Sequence, residues 1–256
     1  MDSLNILFPK KRQADVTVNE IPPLKENQIL CKTQYSLIST GTELHLYNGV
    51  FDQGTDTWEN MIKYPLYPGY SNAAEVVETG AAVSDFKPGD RILSRATHQQ
   101  YHILESDCTT MVKIPDAVPG DQATFGVLGR TTQLGVRRAD VKLGESAGVI
   151  GLGILGQLSL QYLHILGVRQ LVGVDLSSNR LELAATSGAM VTLNSGVDAI
   201  AKDIATITEG RMLDIVMDVT GRPEVLGHCV SLVRKLGRVV LLGDTPTPSQ
   251  QTVGPC

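Results

Sequence analysis

Gly151-Leu152-Gly153-Ile154-Leu155-Gly156 follows the apolar run Ala147 to Ile150 and opens a helical pattern that ends near Leu166. A glycine turn between a buried strand and a helix has a specific use. The first glycine permits the tight turn, the second lets the backbone approach a pyrophosphate, and the third lets helix and strand pack closely. The pyrophosphate then lies at the helix N-terminus, where unpaired N–H groups and the positive end of the dipole face it. Gly151, Leu152, Gly153, Ile154, Leu155 and Gly156 are therefore candidate contacts of a dinucleotide. Glycines also cluster in turns for steric reasons alone, so the pattern needs support from its surroundings.

That support follows in the chain. Gln170-Leu-Val-Gly-Val-Asp175 reads as a second buried strand ending in an acid, and Asp175 lies 19 positions after Gly156, close to the spacing of about 20 expected for a ribose ligand. A carboxylate there accepts the ribose hydroxyls and repels a 2′-phosphate, which favours NAD over NADP. Arg180 is the counter-argument. It could pair with a 2′-phosphate, or be a solvated charge or a partner for Glu182 or Asp175.

The whole chain of 256 residues, 42% apolar, has material for one large or two ordinary domains. Its formal charge of −5 argues against a nucleic-acid or anionic-membrane surface, since both need a clustered positive field. Lys10-Lys11-Arg12 is a compact basic run that reads as a solvated turn. No apolar stretch reaches about 18 residues, and residues 1–18 lack the order of a signal peptide, so a cytoplasmic location is expected. Cys31, Cys108, Cys229 and Cys256 are scattered without a CxxC pair, which fits reduced thiols better than disulfides or a zinc knuckle.

Two rhythms divide the chain. From Ile21 to about Asp116, strand-like runs alternate with turn signals: Gln28 to Thr33, Ala73 to Glu78, Arg91 to Leu93, Tyr101 to Leu104 and Met111 to Ile114. His98 and His102 flank Tyr101 in one such run, where alternation places both on the face opposite Tyr101 and reads them as structural. After Pro119, helical patterns alternate with buried strands at Ala147–Ile150, Leu171–Asp175, Val191–Leu193, Ile215–Asp218 and Arg238–Leu242. This predicts an α/β fold: a β-rich domain over 1–125, then a doubly wound parallel sheet over 126–256.

Several segments carry a family resemblance: Ile38-Ser-Thr-Gly-Thr-Glu-Leu-His45, Pro68-Gly-Tyr-Ser71, Lys87-Pro-Gly-Asp-Arg91, Val141-Lys-Leu-Gly-Glu145, the glycine turn, Asp218-Val-Thr-Gly221 and Gly237-Arg-Val-Val-Leu-Leu-Gly243. In their order and spacing the chain resembles the medium-chain dehydrogenase/reductase superfamily of zinc alcohol dehydrogenases and their zinc-free relatives. Leu37 to Glu43 and Pro68 to Tyr70 look most like the zinc-free branch that includes bacteriochlorophyllide dehydrogenase-like proteins. The resemblance implies a GroES-like domain, a Rossmann domain with Thr220 as a further cofactor contact, and hydride transfer between a nicotinamide and an alcohol or carbonyl substrate.

The chain departs from the family's zinc ligands. The cysteine position reads Thr40, the histidine position Tyr70, and Phe125 to Gly129 offers no thiolate, imidazole or carboxylate. A catalytic zinc needs three such donors, so no zinc is expected. Thr42 and His45 resemble the hydroxyl and imidazole of the family's proton relay, with His45 capping a short helix as the alternative. Tyr70 either donates a hydrogen bond to the substrate oxygen in the metal's place or packs beneath the cleft.

Family members continue beyond the equivalent of Asp244 to Cys256 with a sixth Rossmann strand and a return segment. A chain ending here is expected to expose a sheet edge and apolar surface, and so either to associate, as a homodimer, or to be only marginally stable. Two functions follow as expectations. One is an NAD-dependent, zinc-independent oxidoreductase. The other is a catalytically impaired dinucleotide-binding module that serves in interaction or redox sensing.

Overall fold

A computed structural model describes residues 1–251, without the side chains of Asp56 and Thr57. The chain divides into two compact units, residues 1–127 and residues from 128 onward.

The first unit contains β1 (Asp2–Leu7), β2 (Asp15–Glu20), β3 (Gln28–Ser36), α1 (Thr40–Asn48), α2 (Asp56–Met61), β4 (Asn72–Thr79), β5 (Arg91–Ser94), β6 (Tyr101–Glu105), β7 (Val112–Lys113) and α3 (Gly120–Ala123). β3 to β7 make one antiparallel sheet in the order β6-β3-β4-β5-β7. Its inner face is Ile29, Cys31, Ala74, Val76, Ile92 and Met111. The Lys87-Pro-Gly-Asp90 turn is closed by the Asp90 carboxylate, which accepts the Lys87 N–H at 3.0 Å, with Gly89 at φ 91°. Lys10, Lys11 and Arg12 are exposed between β1 and β2.

The β1–β2 hairpin was not legible as strands, because its polarity is inverted. Ser3 and Asn5 are buried while Leu4 is 50% exposed and Val16 and Val18 face solvent. The inward hydroxyl is satisfied by the main chain. Ser3 Oγ donates to the Tyr101 carbonyl and accepts the Tyr101 N–H, both at 2.9 Å, and Asn5 Nδ2 donates to the Ser3 carbonyl at 2.8 Å.

α4 (Gly126–Arg138) carries the chain into the second unit, which contains β8 (Ser146–Ile150), α5 (Ile154–Ile165), β9 (Gln170–Asp175), α6 (Ser178–Thr186), β10 (Val191–Asn194), α7 (Ala201–Ile207), β11 (Leu213–Asp218), α8 (Val225–Leu232) and β12 (Val233–Leu241). The strands form a parallel sheet in the order β10-β9-β8-β11-β12. Alternate strand residues serve opposite helix layers. Ala147, Val149, Leu171, Ile215 and Met217 pack with Leu160, Leu163 and Leu181, whereas Ile150, Val172, Val174 and Val216 pack with Ile204, Cys229 and Leu232. The order reverses between β8 and β11, the position where open α/β sheets take ligands.

Cys31, Cys108 and Cys229 are free, and burial pushes the Cys31 and Cys229 thiols up to about 12, so these two are inert. Cys256 lies outside the described residues. Among those residues no helix is long and apolar enough to cross a membrane.

His102 is 3% exposed on β6, opposite Cys31, and neither ring nitrogen has a hydrogen-bond partner. Burial opposes its charged form and pushes its pKa down from 6.5 to about 4. The unfolded chain therefore takes up the proton first as pH falls. Stability is retained above about pH 6.5 and declines by about 3 kcal/mol as pH falls to 4. Denaturant titrations at a series of pH values should show this slope in the unfolding of the first unit, and His102→Leu should flatten it. An equal slope in the variant would contradict the assignment.

Candidate functional site

The glycine turn sits at the strand-order reversal. Gly151 has φ 89°, a conformation other residues rarely adopt, and donates its N–H to the Val174 carbonyl at 2.9 Å. A Cβ on Gly156 would lie 2.0 Å from the Gly151 carbonyl oxygen, so the helix can approach the strand only with glycine there. Gly153 differs. It precedes α5, and a Cβ on it would meet nothing within 4 Å. The first rung of the helix is the Gln157 N–H to the Gly153 carbonyl at 2.9 Å, so the N–H groups of Ile154, Leu155 and Gly156 precede the ladder. An open space beside a glycine, edged by unladdered N–H groups, fits the diphosphate of a dinucleotide.

The other sequence candidates in this unit gather around the turn. The Asp175 carboxylate accepts the Leu152 N–H at 2.7 Å on one oxygen and the Ser177 N–H at 2.8 Å on the other, with Arg180 Nη1 3.4 Å from the first. The oxygen that accepts from Ser177 keeps a lone pair for a further donor. The Leu152 side chain belongs to the core, so only its main chain borders the turn. Thr220 follows β11, and its methyl is the atom nearest a Cβ built on Gly151, at 2.8 Å. Its N–H and hydroxyl donate to Asp218 at 2.9 and 2.7 Å. Burial raises the Asp218 carboxyl, and those two bonds oppose the rise.

In the first unit the structure brings Tyr70 and Thr42 together. The Tyr70 hydroxyl lies 2.5 Å from Ser39 Oγ and 3.4 Å from Thr42 Oγ1, and the Arg95 guanidinium stands 5.8 Å from the ring centroid. Ser39 precedes α1 without capping it through its side chain. Its N–H donates instead to Glu43 Oε1 at 2.8 Å, which leaves the hydroxyl for Tyr70. His45 is placed differently, with its ring edge-on to Trp58 at a centroid distance of 5.4 Å. Edge-on packing sets the imidazole against Trp58, a member of the Phe8–Leu46–Trp58–Ile62 cluster.

His98 is the residue whose placement in a strand the structure corrects. β6 begins at Tyr101, so His98 lies outside the strand whose alternation made it a structural partner of His102. It bridges Ser36 Oγ, 2.9 Å from Nδ1, and Glu43 Oε2, 2.8 Å from Nε2. These partners are 62 and 55 positions away, so no local pattern announces them.

The positions that resemble zinc ligands do not suit zinc. Thr40 offers an exposed hydroxyl, the Tyr70 phenol is engaged with Ser39, and Phe125 to Gly129 carries no donor side chain. Neutral hydroxyls are poor zinc donors. Among the described residues no three His, Cys, Asp or Glu side chains gather to hold a metal.

The two turn glycines should respond differently to substitution. Gly156→Ala should lower stability by about 2 kcal/mol or more, whereas Gly153→Ala should change it by less than about 0.5 kcal/mol. Chemical denaturation of both variants checks this, and equal losses would contradict the geometry.

Comparison with known proteins agrees with this architecture. Residues 25–147 match the family model of the alcohol dehydrogenase GroES-like domain, and residues 155–255 match that of the zinc-binding dehydrogenase. The chain is 27% identical to L-threonine 3-dehydrogenase of Caldanaerobacter subterraneus subsp. tengcongensis, over 91% of this chain and 73% of that protein. It is 28% identical to (R,R)-butanediol dehydrogenase of Bacillus subtilis, over 90% of this chain and 75% of that protein. A crystal structure of a zinc-binding dehydrogenase from Sinorhizobium meliloti bound to NADP superposes with a TM-score of 0.80 at 22% identity, covering 96% of this chain and 78% of that one. With both family models matched in this order over nearly the whole chain, and the glycine turn placed at the strand-order reversal, the chain belongs to the medium-chain dehydrogenase/reductase superfamily.

Proposed function

We propose that this protein is an NAD-dependent, zinc-independent oxidoreductase acting on a small hydroxyl or carbonyl compound. The observation that carries the reading is the glycine turn with Asp175 at its edge. The threonine and butanediol dehydrogenases among its relatives act on substrates of that class by name. When bound, the nicotinamide supplies or accepts the hydride.

The residues have separable tasks. The N–H groups of Ile154, Leu155 and Gly156 bind the diphosphate, and Thr220 packs against the turn beside them. The spare lone pair of Asp175 accepts a ribose hydroxyl, and a second hydroxyl takes the place of Arg180 on the other oxygen, which favours NAD. Arg180 opposes that preference, since its guanidinium, 3.4 Å from Asp175, is a cation that can turn to a 2′-phosphate. The Tyr70 phenol donates its proton to the substrate oxygen while Ser39 Oγ turns to donate to the phenol oxygen. Thr42 adds a second hydroxyl beside it, and His45, packed on Trp58, exchanges protons with solvent.

A second reading rests on the hydroxyls at the zinc-ligand positions. A superfamily member without its metal could retain dinucleotide binding alone and act as an interaction or redox-sensing module.

Fluorescence titration with NADH and NADPH, followed by assays on an alcohol and aldehyde panel, separates the readings. NADH binding with turnover supports the enzyme, binding without turnover supports the module, and binding of neither nucleotide defeats both. Asp175→Ser should weaken NADH about tenfold and relax the preference, whereas Arg180→Ala should weaken only NADPH. An unchanged preference in both would remove these residues from the site. Tyr70→Phe should slow turnover at least about tenfold with a stable fold. Chelator treatment should leave activity intact; loss restored by added zinc would refute zinc independence.

A further inference from the structure

A cavity of about 570 Å³ opens within the first unit, on a side of α1 away from the Tyr70 cluster. Its walls are Ile6, Phe8, Ile38, Leu44, Tyr47 and Pro68, and the polar residues lining it are Ser36, Thr40, Glu43 and His98. That volume lies within the roughly 300–1,000 Å³ of small-molecule sites, and a mostly apolar lining with a few convergent polar groups is their usual composition.

Three of the polar residues form one ordered array. Ser36 Oγ is 2.9 Å from His98 Nδ1, and His98 Nε2 is 2.8 Å from Glu43 Oε2. The carboxylate beside Nε2 selects the tautomer protonated there, so Nδ1 presents its lone pair to the Ser36 hydroxyl. The acid is itself held, because Glu43 Oε1 accepts the Ser39 N–H at 2.8 Å. The imidazole cannot swing freely. A Cβ on Gly69 would lie 2.9 Å from its ring, and the His98 main chain donates to the Pro68 carbonyl and accepts from Ile6, both at 2.9 Å. Ser36 is the last residue of β3, so the hydroxyl stands on a paired strand opposite Asn72. Hydroxyl, base and orienting acid within hydrogen-bond reach are the requirements of an activated nucleophile. Thr40 begins α1, whose first rung is the Glu43 N–H to the Ser39 carbonyl, so unladdered N–H groups start at the cavity wall and can serve a developing oxyanion.

We propose that Ser36, His98 and Glu43 form a second reactive centre, a serine hydrolase triad that cleaves small esters with an apolar acyl group. Ser36 Oγ bonds to the ester carbonyl carbon while its proton passes to His98 Nδ1. The carbon–oxygen bond to the alcohol then breaks, and His98 returns the proton to the departing oxygen. Water repeats the sequence on the acyl-Ser36 ester, giving a carboxylic acid and regenerating the hydroxyl. The Glu43 carboxylate, 2.8 Å from Nε2, stabilises the transient imidazolium. Nothing in this cycle uses a nicotinamide, so it stands apart from the dehydrogenase reading.

The test uses the full chain without nucleotide. An alkyl fluorophosphonate should attach to Ser36, located by peptide mass spectrometry, and p-nitrophenyl butyrate should be hydrolysed. Ser36→Ala should abolish the label and lower hydrolysis at least about 100-fold, and His98→Gln should do the same to the rate. If the latter variant unfolds, Ser36→Cys keeps the test open, since a base-activated thiol at 36 should react with iodoacetamide at least about tenfold faster than Cys108. No label at Ser36, hydrolysis that survives Ser36→Ala, or an unreactive Cys at 36 would overturn the proposal.

Discussion

No side chain fits between Gly156 and the carbonyl of Gly151, where a Cβ would stand 2.0 Å from the oxygen. That close approach lets α5 start directly above the end of β8, and much of the second unit depends on it. It holds the helix N-terminus beside the reversal in strand order, and the turn brings the Leu152 N–H within reach of Asp175. It also places Gly151 against the methyl of Thr220, so the turns after β8 and β11 share one edge of the sheet. Gly153 is under no such compression. Its missing side chain leaves open space outside the protein, which is what a ligand and not the packing would require.

The parts of this arrangement legible in the sequence are those governed by local rules. Buried parallel strands read as continuous apolar runs, and the glycine spacing marks its own turn. The acid at the end of β9 follows from the length of one βα unit. The β1–β2 hairpin escaped because it buries Ser3 and Asn5 and exposes Leu4, the reverse of the usual alternation. Its inward hydroxyl is satisfied by Tyr101, about a hundred residues away. His98 escaped for a related reason: its role comes from Ser36 and Glu43, which tertiary structure alone brings together.

The first unit gathers hydroxyls where the proposed function replaces a charged metal site. Zinc ligands are thiolate, imidazole or carboxylate groups, and two of the equivalent positions here, Thr40 and Tyr70, carry hydroxyls. Hydroxyls do not repel one another, so Ser39, Thr42 and Tyr70 can crowd within hydrogen-bond distance without a cation among them. The start of α1 is arranged accordingly. Glu43 takes the Ser39 N–H, the Ser39 side chain is released from capping, and the phenol gains a partner that can donate as well as accept. The same Glu43 orients His98 through its other oxygen, so one buried carboxylate supports both polar clusters of the unit.

The central claim is that the glycine turn holds a dinucleotide diphosphate through main-chain N–H groups. Amide hydrogen exchange of the full chain with and without NADH tests it most directly, because it reads those groups individually. The account predicts that NADH slows exchange at residues 151–156 and at Asp175, and leaves the β1–β2 hairpin unaffected. NADH-dependent protection that misses residues 151–156 would contradict it.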